Sequence, residues 1–133
     1  MADKVEFELV SPAKLLYAGA VDMVVVPGSE GDFGVLPGHA PLISLVRPGV
    51  INIHDEGRVE QRIFVAGGFA EVTQTRCTVL ADEAMPVTDI DRAKAEGRLQ
   101  AARARLGEAD SEADKAAARH EIGVAEALVS AAA

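Results

Sequence analysis

"TVLADEAMPVTDIDRAKAEGRLQAARARL", residues 78–106, is where the chain changes character. Up to Pro86 apolar residues recur with a period of two. Beyond it they recur at i, i+4, i+7 and i+11, at Ala95, Leu99, Ala102 and Leu106. The first spacing gives one face to a strand and the second gives one stripe to a helix. Pro86 cannot donate to a ladder and closes the last strand. Thr88 with Asp91 three residues on is read as a capping box, with Asp in place of Glu.

Further toward the C-terminus, Gly107 suits a helix C-cap, and Ser111 with Asp114 reads as a second capping box. Ala118, Ile122, Ala125 and Val129 then form a second stripe. Two helices around a short turn predict an antiparallel hairpin. Alanine supplies 15 of the 46 residues from Thr88 to Ala133. Small side chains bury little apolar area, so weak docking of this hairpin is expected.

Toward the N-terminus the signals are those of strands. "KVEFEL" puts Val5, Phe7 and Leu9 on one face, and "VDMVVV" groups Val21, Met23 and Val25. "GVINIHDEGRVEQRIFV", residues 49–65, reads as two strands about an Asp55-Glu56-Gly57 turn. "FAEVTQ" and "RCTVLAD" repeat the alternation, with Cys77 and Val79 sharing a face. Turn signals recur at Ser11-Pro12, Gly19, Pro27-Gly28, Pro37-Gly38, Pro48-Gly49 and Gly67-Gly68. All five aromatic residues precede residue 70, and all six prolines lie at or before Pro86. The expected fold is therefore α+β: an antiparallel β-sandwich over residues 1–86, followed by a two-helix hairpin over 87–133.

The formal net charge of −8 and the lack of any Lys/Arg run argue against nucleic acid and anionic membrane surfaces. A single cysteine allows no intramolecular disulfide, and no apolar run has the length to span a bilayer. "MADKVEFELV" carries no Arg-rich or apolar leader, so a soluble intracellular protein is expected.

Catalytic and metal patterns are missing. "GSEGDFGVLPGHAPLI", residues 28–43, is glycine-rich but lacks the Gly-Lys-Ser/Thr of a phosphate loop, and its prolines prevent a helix from following. Glu30 and Asp32 are too few for a calcium loop. His39, His54 and His120 are widely spaced and have no zinc partners. Ser29 and Ser44 lack the context of an activated nucleophile. What remains is a loop with unusual backbone demands, glycines giving close approach and prolines stiff flanks, which suits docking to a partner. Two other readings stay open. One is a free-standing binding or scaffold module on a sandwich; the other is a carbohydrate-active enzyme using Glu30 and Asp32 as its carboxylate pair.

The stretch at 28–43 resembles the signature loop of the epsilon subunit of F-type ATP synthase, the counterpart of the mitochondrial delta subunit. "VSP", "RPGVINI", "VAGGFAEV" and "TVLADEA" stand in that family's order over the whole chain, with a helical hairpin after them. The resemblance implies a bacterial, non-catalytic subunit of the rotating central stalk, carrying torque from proton flow to ATP synthesis. Its implied partners are gamma, the c ring, and the beta and alpha subunits of the catalytic head. Its implied place is the cytoplasmic face of the inner membrane, peripheral and without membrane insertion. By motif match Glu30, Asp32 and His39 are the candidates for meeting the c ring.

In bacterial members the hairpin can extend along gamma and restrain ATP hydrolysis. The bases Arg98, Arg103, Arg105, Lys115 and Arg119 would then face an acidic segment of beta. Some members also bind regulatory ATP at an Ile/Leu-Asp-x-x-Arg-Ala motif. "IDRAKA" offers Asp91 and Lys94 there, with lysine in place of the arginine fork. The same Asp91 also reads as a helix-start cap. No cofactor or metal is otherwise implied.

Overall fold

The computed structural model describes residues 3–133; Met1 and Ala2, the first two residues of the predicted sandwich, lie outside them. Ten strands come first: β1 Val5–Val10, β2 Leu15–Val21, β3 Met23–Gly28, β4 Gly31–Val35, β5 Leu42–Val46, β6 Gly49–Asp55, β7 Arg58–Val65, β8 Gly68–Val72, β9 Arg76–Ala81 and β10 Ala84–Pro86. A 3₁₀ turn at Val87–Asp89 leads into α1 Arg92–Glu108 and α2 Glu112–Ala131.

The strands form one continuous hydrogen-bonded order, β10-β7-β6-β3-β5-β8-β9-β1-β2, with β4 also on β3. It folds into two layers. One holds β10, β7, β6, β3 and β4; the other holds β5, β8, β9, β1 and β2. They join at a single corner, where Gly28 of β3 pairs with Val46 of β5. Val5, Phe7 and Leu9 from one layer meet Ile51, Ile53, Ile63 and Val65 from the other in a shared core, together with Cys77 and Val79. Burial pushes the Cys77 thiol up to about 12, so in the native state it is a protected, unreactive group.

Several sequence expectations are met in detail. β6 and β7 join through Glu56 (φ 55°) and Gly57 (φ 79°), the double positive-φ turn that suits a two-residue hairpin. Others are corrected. The sandwich is not wholly antiparallel: β1 lies parallel to β9, with Glu6 opposite Arg76 and Val10 opposite Leu80. These two strands come from opposite ends of the sandwich sequence, so no tight turn constrains their direction. "VDMVVV" is not one strand. Asp22 interrupts it, its N–H donating to the His54 carbonyl and its carboxylate accepting from the Glu56 N–H at 2.8 Å. Past that break the core-facing residues are Val24 and Val26, rather than Met23 and Val25. Gly19 is not a turn but lies within β2 opposite Phe7. The Tyr17 ring covers it and packs on Phe7 with centroids 5.7 Å apart.

The helix signals are shifted by a few residues. Asp91, not Thr88, is the N-cap of α1, accepting from the Lys94 N–H at 3.2 Å; Thr88 lies in the preceding 3₁₀ turn. α1 runs through Gly107 to Glu108, with Ala109 as its C-cap. Ser111 caps α2 as expected, accepting from the Asp114 N–H at 3.0 Å.

α2 buries two faces. Ala118 and Ala125 are enclosed where it lies along α1, which contributes Ala102, while Ala95 of α1 belongs to the cluster on the sandwich. Val124, Leu128 and Ala131 instead join Phe64 and Ala66 of the sandwich in a second apolar cluster, flanked by Val50, Met85 and Ile90. Phe64 is the outward-facing residue between Ile63 and Val65 on β7, and this cluster buries it completely. So the hairpin's seat on the sandwich contains a phenylalanine and a leucine, not alanine alone.

Candidate functional site

The glycine-rich stretch is a hairpin followed by a turn, not one loop. Ser29 and Glu30 form the tip between β3 and β4, where Gly28 pairs with Gly31 (φ 130°) and Pro27 with Asp32. A Cβ on Gly28 would stand 2.8 Å from the Phe33 ring and 2.9 Å from the Gly31 carbonyl, so the tip closes only with glycine there. Glu30 and Asp32 are exposed on this end. His39 lies past the other end of β4, in the turn whose Gly38 N–H donates to the Gln74 carbonyl at 2.8 Å. Its Nδ1 lies 2.7 Å from the Ala40 carbonyl. The structure therefore brings Glu30 and Asp32 together and separates His39 from them by the length of a strand.

Arg47, which the sequence reading did not single out, holds the tip. It donates from Nη1 to the Gly28 carbonyl and from Nη2 to the Asp32 carboxylate, both at 2.5 Å. Its place two residues before Gly49 in "RPGV" carried no charge pattern to flag it. With that ion pair, Asp32 is committed to bracing the hairpin rather than to acid–base work on a substrate.

A second surface lies on the outer face of the β5-β8-β9-β1-β2 layer. Leu45 stands opposite Phe69, Phe69 opposite Leu80, Leu80 opposite Val10, and Val10 opposite Leu15. These five residues form one apolar row across all five strands. Leu45 is 68% exposed, Leu15 56%, and Phe69 and Leu80 43% each. Ile43, next on the outward face of β5, is 73% exposed. Single exposed leucines are ordinary, but a contiguous row marks an interaction surface. Phe69 borders clefts on both sides, one with Ser11 and Pro12, the other with Pro48, Ala66 and His120.

The helical bases are mostly occupied. Arg98 reaches Glu83 of the sandwich and Glu121 of α2. Arg103 lies 3.7 Å from Glu126, and Lys115 3.6 Å from Glu112. Arg105 lines a cleft with Glu108 and Asp114 at the hairpin's turn, and Arg119 is exposed on α2. Lys94 is exposed beside the capping Asp91, whose carboxylate already accepts from the helix. Arg98 holds the Glu121 carboxyl below its ordinary range, and Glu83 ahead of Glu121 holds the Arg98 guanidinium above its own. The acids Asp22, Asp55 and Glu56 also converge, but Lys4 sits among them, 2.6 Å from Asp55 and 3.0 Å from Glu56. Its pull lowers Asp55. That cluster is an internal ion-pair network.

Residues 4–87 match the family model described as ATP synthase, Delta/Epsilon chain, beta-sandwich domain. The ATP synthase epsilon chain of Rhodospirillum rubrum is 59% identical over 131 residues, 98% of each chain. That of Paramagnetospirillum magneticum is also 59% identical over 131 residues, again 98% of each. Among solved structures, a chain of the Euglena gracilis mitochondrial ATP synthase, solved as OSCP/F1/c-ring, superposes with a TM-score of 0.82 at 26% identity, over 96% of this chain and 81% of that one. A chain of the Tetrahymena thermophila mitochondrial central stalk and c-ring shares the fold, with a TM-score of 0.69 at 16% identity. No helix among the described residues is long and apolar enough to cross a membrane. Full-length likeness of this kind displaces both the free-standing module and the carbohydrate-active enzyme as readings. The chain belongs to the epsilon-chain family of F-type ATP synthase, a non-catalytic subunit of the central stalk of that membrane-associated complex.

Proposed function

We propose that the sandwich couples rotor parts through two separate surfaces, and that the apolar row Leu45–Phe69–Leu80–Val10–Leu15 is the seat of gamma. The row is the observation that carries this reading. It holds four of the eight exposed large hydrophobic residues among those described, and a permanent partner in a rotor buries such a face. The hairpin tip with Glu30 and Asp32 is the candidate contact for the polar loops of the c ring, on the cytoplasmic face of the inner membrane. The Euglena neighbour, solved with a c-ring, supports that assembly. The double hold of Arg47 gives the tip the stiffness that a torque-bearing contact needs. His39, remote from the tip, is assigned to a separate part of that contact.

Cross-linking tests the placement. In assembled enzyme, Glu30→Cys carrying a thiol-attached photo-cross-linker should couple to a c subunit on illumination, because Glu30 is at the exposed tip. Cysteine at Thr88, on the opposite layer edge beside β7, should not. Coupling of the Glu30 position only to subunits of the catalytic head would refute the assignment.

The hairpin is proposed as a brake on ATP hydrolysis, its bases turning to an acidic segment of beta when it extends. Removing residues 87–133 should raise hydrolysis by the assembled enzyme several-fold while leaving proton coupling intact. The native Cys77 gives a control: it should stay unreactive in the truncated chain, reporting that the sandwich stands without its helices. Unchanged hydrolysis with a protected Cys77 would remove the brake from this protein. Regulatory nucleotide binding at Asp91 and Lys94 belongs to the same proposal only if ATP shifts the hairpin, since Asp91 is already engaged as a cap.

A further inference from the structure

We propose that Arg98 is the clasp that fastens the helical hairpin to the sandwich, with Glu83 as its catch. The inference concerns the docked state itself and rests on the reading above only in taking the hairpin to be an element that moves. Arg98 projects from α1 one turn beyond Ala95, which is buried against Phe64 and Leu128. Its Nη1 and Nη2 donate to the two oxygens of Glu83 at 2.8 and 2.9 Å, a fork on a fork. Its Nε donates to Glu121 of α2, and Nη2 donates again to the second Glu121 oxygen at 3.3 Å. One guanidinium thus ties three elements: the β9–β10 turn, α1 and α2.

The catch is itself fixed. The Glu83 carbonyl accepts from the Ala66 N–H at 2.8 Å, and the next residue, Ala84, pairs with Val65. Every other ion pair of the hairpin among the described residues is internal to it: Arg92–Glu96, Arg103–Glu126 and Lys115–Glu112. Arg98–Glu83 alone crosses to the sandwich. The remaining seat of Phe64, Ala66, Val124, Leu128 and Ala131 is apolar and non-directional, and tolerates sliding. The fork does not, because both its bonds break together, so it makes docking all-or-none. When the hairpin lifts as a unit, Glu121 travels with Arg98 and Glu83 stays behind. The vacated half of the guanidinium is then free for a carboxylate of an acidic peptide on whatever the raised hairpin meets.

Hydrogen exchange on the full-length chain tests the clasp without any assembled enzyme. An exposed ion pair would change hairpin opening by about two-fold. Bidentate, charge-assisted bonds raise the expectation to about ten-fold. Once lifted, these short helices lose their packing and fray, so Arg98→Met and Glu83→Gln should each speed exchange of α1 and α2 amides by that factor. The amides of β1 and β9 should keep their rates, and Cys77 its protection. Glu121→Gln should loosen α1 from α2 and accelerate the hairpin less than Glu83→Gln does. Arg98→Lys should fall with Arg98→Met, since an ammonium cannot form the fork. A change below three-fold in both Arg98→Met and Glu83→Gln overturns the clasp. So does parallel acceleration of strands and helices, which would make Arg98 a general stabilising residue. Either result leaves the brake reading untouched, because the hydrolysis assay on the truncated subunit decides that separately.

Discussion

Phe69→Asp should abolish gamma binding at working concentrations, weakening it by ~100- to 1,000-fold. Phe69 is the middle of the strand β5-β8-β9 part of the apolar row, with Leu45 and Leu80 directly opposite it on either side. A central aromatic flanked by aliphatic residues has the character of an interface hot spot, worth ~2–4 kcal/mol. A carboxylate there adds the cost of burying an unpaired charge if gamma still docks. At 1.4 kcal/mol per decade this gives the range stated. The fold should survive, because the ring is 43% exposed and points away from the core. An unreactive Cys77 would verify that in the same sample. Val59→Asp is the matched control: Val59 is 46% exposed on β7, in the other layer. Titration calorimetry of gamma against the wild-type chain and both variants decides the point. Equal losses from Phe69→Asp and Val59→Asp would mean that the row is not the seat.

That row illustrates what the sequence does and does not disclose. Alternation in "FAEVTQ" already sorts Phe69 and Glu71 from Ala70 and Val72, and in "RCTVLAD" it sorts Leu80 from Cys77 and Val79. Which face is the core follows from composition. That Leu45, Phe69, Leu80, Val10 and Leu15 lie side by side does not, since it depends on register across five strands and on the parallel pairing of β1 with β9. Long-range order of that kind leaves no local periodicity to read. The hairpin shows the same limit. Its helices are legible from their stripes, but of the α2 stripe only Ala118 and Ala125 are buried along α1, and Val129 flanks the cluster on the sandwich. The face that seats on Phe64, through Val124 and Leu128, becomes visible only once a sheet stands beside it. Arg98 was legible as a base but not as a clasp, because its partner Glu83 belongs to the strand region fifteen residues earlier. The tip reads as a loop because Gly28, Gly31 and Gly34 look like loop residues, although Gly31 and Gly34 lie in β4 and pair across to β3.

Gly68→Ala should cost the sandwich a large share of its stability, and the reason is local. Gly68 opens β8 with φ at 131°, a conformation that L residues other than glycine rarely adopt. Space is shorter still. A Cβ there would lie 2.1 Å from the Leu80 carbonyl oxygen and 2.9 Å from the Ala81 Cα, both backbone atoms of β9. No side chain can swing aside to make room; β8 and β9 have to separate where Gly68 pairs with Ala81 and Phe69 with Leu80. Strain of ~1–3 kcal/mol from the backbone angle and a similar loss from overpacking sum to about 2–6 kcal/mol. Against a total of ~5–15 kcal/mol for a small domain, that is a large share. At ~4–8 °C per kcal/mol, Tm should fall by at least about 8 °C. The same separation would tilt Phe69 and Leu80 out of line, so gamma binding should weaken even at temperatures where the variant is folded. Gly97→Ala provides the contrast, because nothing lies within 4 Å of the added methyl in α1. That change should raise helix stability by ~0.5–1 kcal/mol. Thermal melts of the two variants, followed through the reactivity of Cys77, separate a glycine required by geometry from one that is not. A Gly68→Ala chain melting within a few degrees of the wild type would show that β9 yields at Leu80 and that the close approach is not a constraint.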